Sequence, residues 1–246
     1  MISPKTAAGQ APQSLTLQID GKDVSCGVGE TILEVAREHG IDIPTLCHLD
    51  GLTVWGGCRL CLVEVAGSNK LLAACATQCT EGMIVTTDSA RLRAHRKMII
   101  EMLFSERNHV CSVCVSNGHC ELQSMSQKLG VTYVHLPYRY PKLVVDSSHD
   151  RFRLDHNRCI LCTRCVRVCA EIETAHTKDV EGRGIKSLII HDMAQPWDEA
   201  ESCTACGKCV HVCPTGALTD KGTAAGEMAK RRQFLPYLTQ MRETNS

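Results

Sequence analysis

The spacing of its cysteines constrains this chain more than any other sequence feature. The 246 residues include 17 Cys, and eight of these fall in two copies of the pattern C-x2-C-x2-C-x3-C, the internal repeat of the sequence. The copies are Cys159, Cys162, Cys165, Cys169 and Cys203, Cys206, Cys209, Cys213, with Pro214 after the second copy. In a reducing compartment so many cysteines are better explained as thiolate ligands than as disulfides. The sequence therefore predicts metal centres.

The repeated pattern is typical of bacterial ferredoxins that bind two 4Fe-4S clusters. In that pattern three cysteines of one copy bind one cluster and the fourth binds its neighbour. The predicted ligand sets are Cys159, Cys162, Cys165, Cys213 and Cys203, Cys206, Cys209, Cys169. The first copy has Ala170 where the pattern usually has Pro. Zinc is a weaker alternative, because three cysteines at successive three-residue steps suit a cube corner better than one tetrahedral ion.

A third set of four cysteines has the spacing C-x10-C-x2-C-x13-C. Its members are Cys47, Cys58, Cys61 and Cys75. Four thiolates are what a 2Fe-2S cluster requires, and Gly56 and Gly57 allow backbone amides to approach the sulfurs closely. A structural zinc site is the alternative for this set.

A fourth constellation lies between these two regions. It consists of His109, Cys111, Cys114 and Cys120. Three cysteines leave a 4Fe-4S cluster one ligand short, and a nearby imidazole can supply the fourth bond. We predict His109 as that ligand, with His119 as the alternative. Cys26 and Cys79 remain, and we expect them to be buried thiols in an apolar core.

Composition supports folding around metal and excludes several classes of partner. With 3 Phe, 2 Trp and 4 Tyr, the large aromatic side chains that fill most cores are scarce. Lys and Arg balance Asp and Glu at 27 each, which argues against nucleic-acid or anionic-membrane binding. The sequence lacks a long apolar run, and residues 1–14 lack the apolar segment of a secretory signal. We expect a cytoplasmic protein without a transmembrane segment.

Hydrophobic periodicity predicts an α+β fold with three cluster-binding modules. Alternating residues from Leu15 predict a hairpin, followed by a helix that ends near Gly40 and by strands at 60–65, 71–76 and 83–87. This order indicates a ubiquitin-like (β-grasp) 2Fe-2S ferredoxin domain. A helix is predicted over 89–106, with Leu92, His95, Met98 and Met102 among the residues of its apolar face. The predicted divisions are a flexible arm at 1–14, the 2Fe-2S domain at 15–88, a His/Cys3 4Fe-4S helical-loop domain at 89–150, a bacterial-type 2x4Fe-4S ferredoxin domain at 151–220 and a C-terminal helical tail at 221–246.

Read in this order, the motifs resemble the N-terminal part of the large iron-sulfur subunit of respiratory complex I and of iron-only hydrogenases. Those proteins continue into further domains, whereas this chain ends about thirty residues after Cys213. Segments 108–123, 155–169 and 203–218 look most like the HoxU family, the small diaphorase subunits of bidirectional NAD-reducing nickel-iron hydrogenases. Complex I relatives place the ligating His four residues before the first Cys, where this sequence has Arg107.

The resemblance implies an electron-transfer subunit with one 2Fe-2S and three 4Fe-4S clusters. Its implied partners are a flavin- and NAD-binding diaphorase subunit and the nickel-iron hydrogenase subunits. The sequence contains no dinucleotide fingerprint, no Walker-type loop and no paired distant CxxC motifs for nickel, so we expect no complete active site on this chain. The alternatives are the corresponding subunit of an NAD-dependent formate dehydrogenase or of a complex I-like NADH dehydrogenase, a free polyferredoxin, and a zinc-stabilised scaffold.

Overall fold

A computed structural model describes residues 14–235 of the chain. The chain folds into two compact units. The first contains residues up to Ile43 together with Cys61–Leu92, and the second contains Pro44–Leu60 together with residues from Arg93 onward. The predicted N-terminal arm lies outside the described residues, apart from Ser14, which begins the first strand.

The first unit opens with the predicted hairpin. Strands β1 (Ser14–Ile19) and β2 (Lys22–Gly27) pair antiparallel, with Ile19 opposite Lys22. The two residues between them, Asp20 and Gly21, have φ of 50° and 76°. A two-residue connection with positive φ at both positions matches the twist of paired strands, and Asp and Gly tolerate that conformation well.

A mixed sheet and one helix complete this unit. The sheet has the order β2-β1-β5-β3-β4, and β1 runs parallel to β5. The remaining strands are β3 (Leu62–Val65), β4 (Leu72–Ala73) and β5 (Ile84–Thr86), and the helix α1 is Ile32–Glu38. Helix α1 contributes Ile32, Leu33, Val35 and Ala36 to a core that it shares with the sheet. This architecture confirms the predicted α+β class, with β4 shorter than the sequence indicated.

The next helix is present, but its buried face differs from the prediction. Helix α2 (Ala90–Glu106) buries Leu92, Arg96 and Ile100, which are spaced four residues apart, whereas Met98 and Met102 are exposed. Arg96 is buried because its Nε donates a hydrogen bond to the carbonyl of Leu60 at 3.2 Å. The prediction of the apolar face was therefore wrong. The buried face includes Arg96, a long cationic side chain, at a position that the hydrophobicity pattern assigned to solvent.

The second unit combines short helices with two small sheets. Its helices are α3 (Glu121–Lys128), α4 (Arg164–Glu171) and α5 (Lys208–Val212). Its strands are β6 (Val145–Asp146), β7 (Phe152–Asp155), β8 (Lys178–Glu181), β9 (Leu188–His191) and β10 (Leu218–Asp220). Strand β7 lies between β10 and β6 in one antiparallel sheet, and β8 pairs with β9 in the other. None of the described helices is both long and apolar enough to cross a membrane.

The segment after β10 differs from the predicted C-terminal helical tail in its first part. Residues 221–233 form turns and extended chain, and Phe234 and Leu235 are helical. Backbone amides of Gly226 and Met228 donate to the carbonyls of Cys114 and Val115, and Met228 and Leu235 are buried in the core of this unit. Gly226 has a φ of 79°, which a helix does not accommodate. The predicted tail residues after 235 lie outside the described part of the chain.

Helix α1 begins with a capping box whose removal should weaken the first unit. The Glu34 amide donates to Thr31 Oγ1, and the Thr31 amide donates to Glu34 Oε2 at 2.7 Å. We expect Thr31→Ala to lower the free energy of unfolding by about 1 kcal/mol, because the Glu34 amide loses its acceptor and the Glu34 carboxylate loses the hydroxyl that donates to it. Denaturant titration followed by circular dichroism measures this loss. Thr80→Ala is the matched control at an exposed position, and an equal loss in both variants would contradict the role of the cap.

Candidate metal centres

The two copies of the cysteine pattern adopt the same unusual backbone. Leu161 and Ala205, each just before the second Cys of its copy, have φ of 51° and 52°. Thr163 and Gly207, each just after that Cys, have φ of 58° and 74°. Left-handed conformations at Leu and Thr cost energy and persist where the surroundings enforce them. The repeated sequence therefore folds into a repeated loop that curls around its cysteines, and each loop runs into a helix, α4 or α5.

The first cavity brings together one predicted ligand set. Its lining includes Cys159, Cys162, Cys165 and Cys213, three from the first copy and one from the second. The other lining residues are mostly apolar: Leu154, Ile160, Thr163, Ile189, Pro214, Thr215, Ala217 and Leu218. The amide of Leu161 donates to Cys159 Sγ at 3.4 Å.

A second cavity brings together the other set from the repeat. Cys169, Cys203, Cys206 and Cys209 line it, so the exchange of fourth cysteines between the copies is present in the structure. Its other walls include Phe152, Trp197 and Lys178. The indole Nε1 of Trp197 donates a hydrogen bond to Cys203 Sγ at 3.3 Å.

Burial makes these thiols poor acids on their own. It raises the pKa of Cys159 and of Cys209 to about 12, and that of Cys162 to about 11. Binding of a metal cation replaces the proton and supplies the positive charge that a buried thiolate lacks. Within the described residues no three His, Cys, Asp or Glu side chains converge to the spacing of a single metal ion; these donors surround cavities instead.

The third cavity contains the middle constellation. His109, Cys111, Cys114 and Cys120 line it together with Arg158, Gln123 and Gly216. A methyl group added at Gly216 would lie 2.3 Å from Cys114 Sγ, so the backbone approaches this sulfur as closely as glycine allows. All four predicted donors meet here.

The imidazole of His109 has the properties of a metal ligand. Its Nε2 is buried and lacks a hydrogen-bond partner among the described residues. Burial, with Arg158 nearby, lowers the pKa of His109 to about 4, so the ring is neutral at physiological pH and its nitrogen is free to bind metal. His119, the alternative, is exposed. The structure places His109, and not His119, among the lining residues of the three-cysteine cavity.

The four cysteines of the predicted 2Fe-2S set form two close pairs, one in each compact unit. Cys61 Sγ and Cys75 Sγ are 3.4 Å apart in the first unit. In the second unit, the amide of Cys58 donates to Cys47 Sγ at 3.5 Å. Hydrogen bonds from the Cys58 thiol and from the Cys58 and Gly57 amides lower the pKa of Cys47 to about 5. The predicted approach of a Gly57 amide to a sulfur is thus present.

Two buried arginines of α4 bind the loop that contains Cys47. Arg167 Nη2 donates to the carbonyl of Cys47 at 2.6 Å and to that of Cys162 at 3.1 Å. Arg164 donates to the carbonyl of His48 and pairs with Glu121, both at 2.9 Å. The sequence places both side chains near proposed ligands of the first cysteine copy but does not show that they are buried. Their spacing of three on a helix puts them on one face, but nothing in the sequence shows which face is buried.

The two remaining cysteines are where the sequence predicted them. Cys26 and Cys79 are buried in the core of the first unit. Burial raises the pKa of Cys79 to about 12, so it stays a neutral thiol.

Three family models match successive parts of the chain. A 2Fe-2S iron-sulfur cluster binding domain matches residues 12–90, the NADH-ubiquinone oxidoreductase-G iron-sulfur binding region matches 96–135, and the ferredoxin-like domain of NADH-quinone oxidoreductase subunit 3 matches 150–219. The order and content of these matches agree with the three predicted kinds of iron-sulfur module.

Individual relatives include hydrogenase subunits. The NADP-reducing hydrogenase subunit HndD of Solidesulfovibrio fructosivorans is 37% identical over 84% of this chain, which spans 36% of that protein's length. The gamma subunit of the NAD-reducing hydrogenase HoxS of Cupriavidus necator is 32% identical over 90% of this chain and 93% of its own length. A chain in the crystal structure of an NAD+-reducing [NiFe]-hydrogenase in the H2-reduced state superposes with a TM-score of 0.81 at 35% identity, covering 86% of this chain and 89% of that chain. Matched along nearly its whole length in sequence and in fold, the chain belongs to the family of iron-sulfur subunits that includes the gamma subunit of NAD-reducing hydrogenase, as its motifs indicated.

Proposed function

We propose that this chain relays single electrons between a flavin- and NAD(H)-binding subunit and a nickel-iron hydrogenase module, so that their complex catalyses H2 + NAD+ = NADH + H+. The observation that carries this proposal is the presence of three cavities, each lined by the four donors that the sequence assigns to one 4Fe-4S cluster. Iron-sulfur clusters accept and release one electron at a time, which suits them to connect hydride chemistry with a distant metal site. The match to the gamma subunit of an NAD-reducing hydrogenase, which covers 93% of that subunit's length, supports the choice of complex.

We propose four ligand sets for one 2Fe-2S and three 4Fe-4S clusters. The 2Fe-2S set is Cys47, Cys58, Cys61 and Cys75, and the middle 4Fe-4S set is His109, Cys111, Cys114 and Cys120. The two ferredoxin-type sets are Cys159, Cys162, Cys165, Cys213 and Cys203, Cys206, Cys209, Cys169. We propose module boundaries at 88, 150 and 220, because the first two lie between successive ligand sets and the third follows the last ligand, Cys213.

The polypeptide holds, shields and aligns these donors. Apolar walls at Leu154, Ile189 and Leu218 keep water from the first cavity, which favours reversible electron uptake over loss of iron. Arg167 binds the carbonyls of two proposed ligands, Cys47 and Cys162, and so fixes the separation of the chain segments that hold them. A fixed separation is what an electron relay requires of its protein.

The active sites of the complex belong, in this proposal, to the partner subunits, and the complex is cytoplasmic. The alternatives from sequence are less well supported. A putative formate dehydrogenase of Bacillus subtilis is 32% identical over 76% of this chain, but the match covers 19% of its length. The match to the hydrogenase gamma subunit covers 93% of that subunit's length, which favours the hydrogenase complex over the formate dehydrogenase.

The complex itself tests the proposed function. Affinity purification of the full chain from its native host should recover flavin- and nickel-containing subunits, and the preparation should reduce NAD+ with H2. In a Cys162→Ser complex we expect H2-driven NAD+ reduction to fall at least tenfold, while NADH oxidation with an artificial dye at the flavin subunit is retained. Recovery with formate-oxidising subunits, or an unchanged overall rate, would contradict the proposal.

The ligand role of His109 leads to a spectroscopic prediction. We expect His109→Ala to remove or convert one 4Fe-4S signal in the electron paramagnetic resonance spectrum of the reduced complex, because the middle cavity loses its one imidazole donor. The other signals should be unchanged. His119→Ala is the matched control, and a loss confined to that variant would transfer the ligand role to His119.

Cluster removal should unfold the ferredoxin-type module. Stripping iron with ferricyanide and EDTA should abolish its cooperative thermal transition in circular dichroism, because metal-binding free energy becomes folding free energy where no site exists in the unfolded chain. EDTA alone is the control, and that sample should keep its transition. Native circular dichroism and cooperative melting of iron-free protein would contradict the prediction.

A further inference from the structure

A buried lysine lies at the wall of the second ferredoxin-type cavity. Lys178, the first residue of β8, is 4% exposed and lines the cavity formed by Cys169, Cys203, Cys206 and Cys209. Its Nζ lies 3.7 Å from the centre of the Trp197 ring. Trp197 in turn donates to Cys203 Sγ. The ammonium and the indole therefore approach the proposed ligands from the same side.

Lys178 lacks a carboxylate partner within ion-pair distance among residues 14–235. Its hydrogen-bond partner is His191 Nε2, at 2.5 Å, across the β8–β9 ladder. Burial, with the lysine nearby, lowers the pKa of His191 to about 3, so this ring is neutral and contributes no negative charge. Asp146 lies on the far side of the imidazole, with its Oδ2 3.7 Å from His191 Nδ1.

A buried cation without a counter-ion is costly, and such groups are usually paired. A 4Fe-4S cluster with four thiolates carries a net charge of about −2 when oxidised and about −3 after uptake of one electron. The other lysine at this cavity, Lys208, already pairs with Glu173. Of the two lysines that line this cavity, Lys178 is therefore the one without a carboxylate partner among the described residues.

We propose that Lys178 is a positioning residue that acts as the counter-charge of the cluster held by Cys169, Cys203, Cys206 and Cys209 and raises its reduction potential. This inference rests on the ligand assignment of the proposed function. A fixed positive charge stabilises the form with one more electron relative to the oxidised form, and burial of Lys178 reduces the screening of its charge by water. The cation–π contact with Trp197 and the hydrogen bond to His191 hold the ammonium in place.

The test is a redox titration of the full chain with its clusters, followed by electron paramagnetic resonance. Loss of a signal in Cys206→Ser identifies the cluster concerned. We expect Lys178→Met and Lys178→Gln to lower its equilibrium constant for one-electron reduction about tenfold, which is about 59 mV for a one-electron couple. Lys178→Arg should retain most of the potential, and the other clusters should not shift. Lys186→Met, which removes an exposed lysine in the β8–β9 connection, is the matched control.

Each outcome decides the inference. An unchanged potential in both neutral variants, or an equal shift in Lys186→Met, overturns it. Loss of this one cluster from both neutral variants with retention in Lys178→Arg supports it, because charge is then what the site requires. Loss from the arginine variant as well overturns it, because packing would then be the cause. Absence of the cluster from the unsubstituted chain would instead remove the proposed ligand set.

Discussion

The fold of the second unit depends on the way its cysteines are buried. Thiols such as Cys159 and Cys209, with their pKa raised to about 12, are costly to bury as isolated thiolates. That cost disappears when a bound metal cation supplies the compensating positive charge. The scarcity of aromatic residues is consistent with this arrangement, since coordination bonds replace much of the packing that such residues supply elsewhere. Trp197 and Phe152, which are among the few, stack beside a metal cavity.

Charge around the cavities is distributed unevenly. The first cavity has mostly apolar walls, the second has an indole donor and a lysine that no described carboxylate pairs with, and the third has Arg158 close to a neutral imidazole. The three cavities proposed to hold 4Fe-4S clusters therefore differ in their electrostatic surroundings. Reduction potentials respond to hydrogen bonds, exposure and nearby charge, so this unevenness is a physical basis for a gradient along a relay.

The cysteine spacing predicted the donor groups that line the three cavities, because these spacings are typical of iron-sulfur sites. The β1–β2 hairpin and helix α1 also followed from local patterns, a Gly-containing turn and apolar residues at helical spacing. Features that depend on distant partners were missed. The burial of Arg96, Arg164 and Arg167 is one such feature, because carbonyls of remote loops accept their hydrogen bonds. Residues 221–233 of the predicted tail are not helical; amides of Gly226 and Met228 instead donate to the carbonyls of Cys114 and Val115, more than a hundred residues earlier.

The positions of Cys169 and Cys213 have a consequence for how the ferredoxin-type region can be altered. Each of the two cavities is lined by three cysteines of one loop and one cysteine of the other. If the chain were divided between the copies, each fragment would keep four cysteines, but only three of them line that copy's own cavity. Under the proposed ligand sets, deletion of either copy would therefore remove one cluster site and leave the other site one thiolate short.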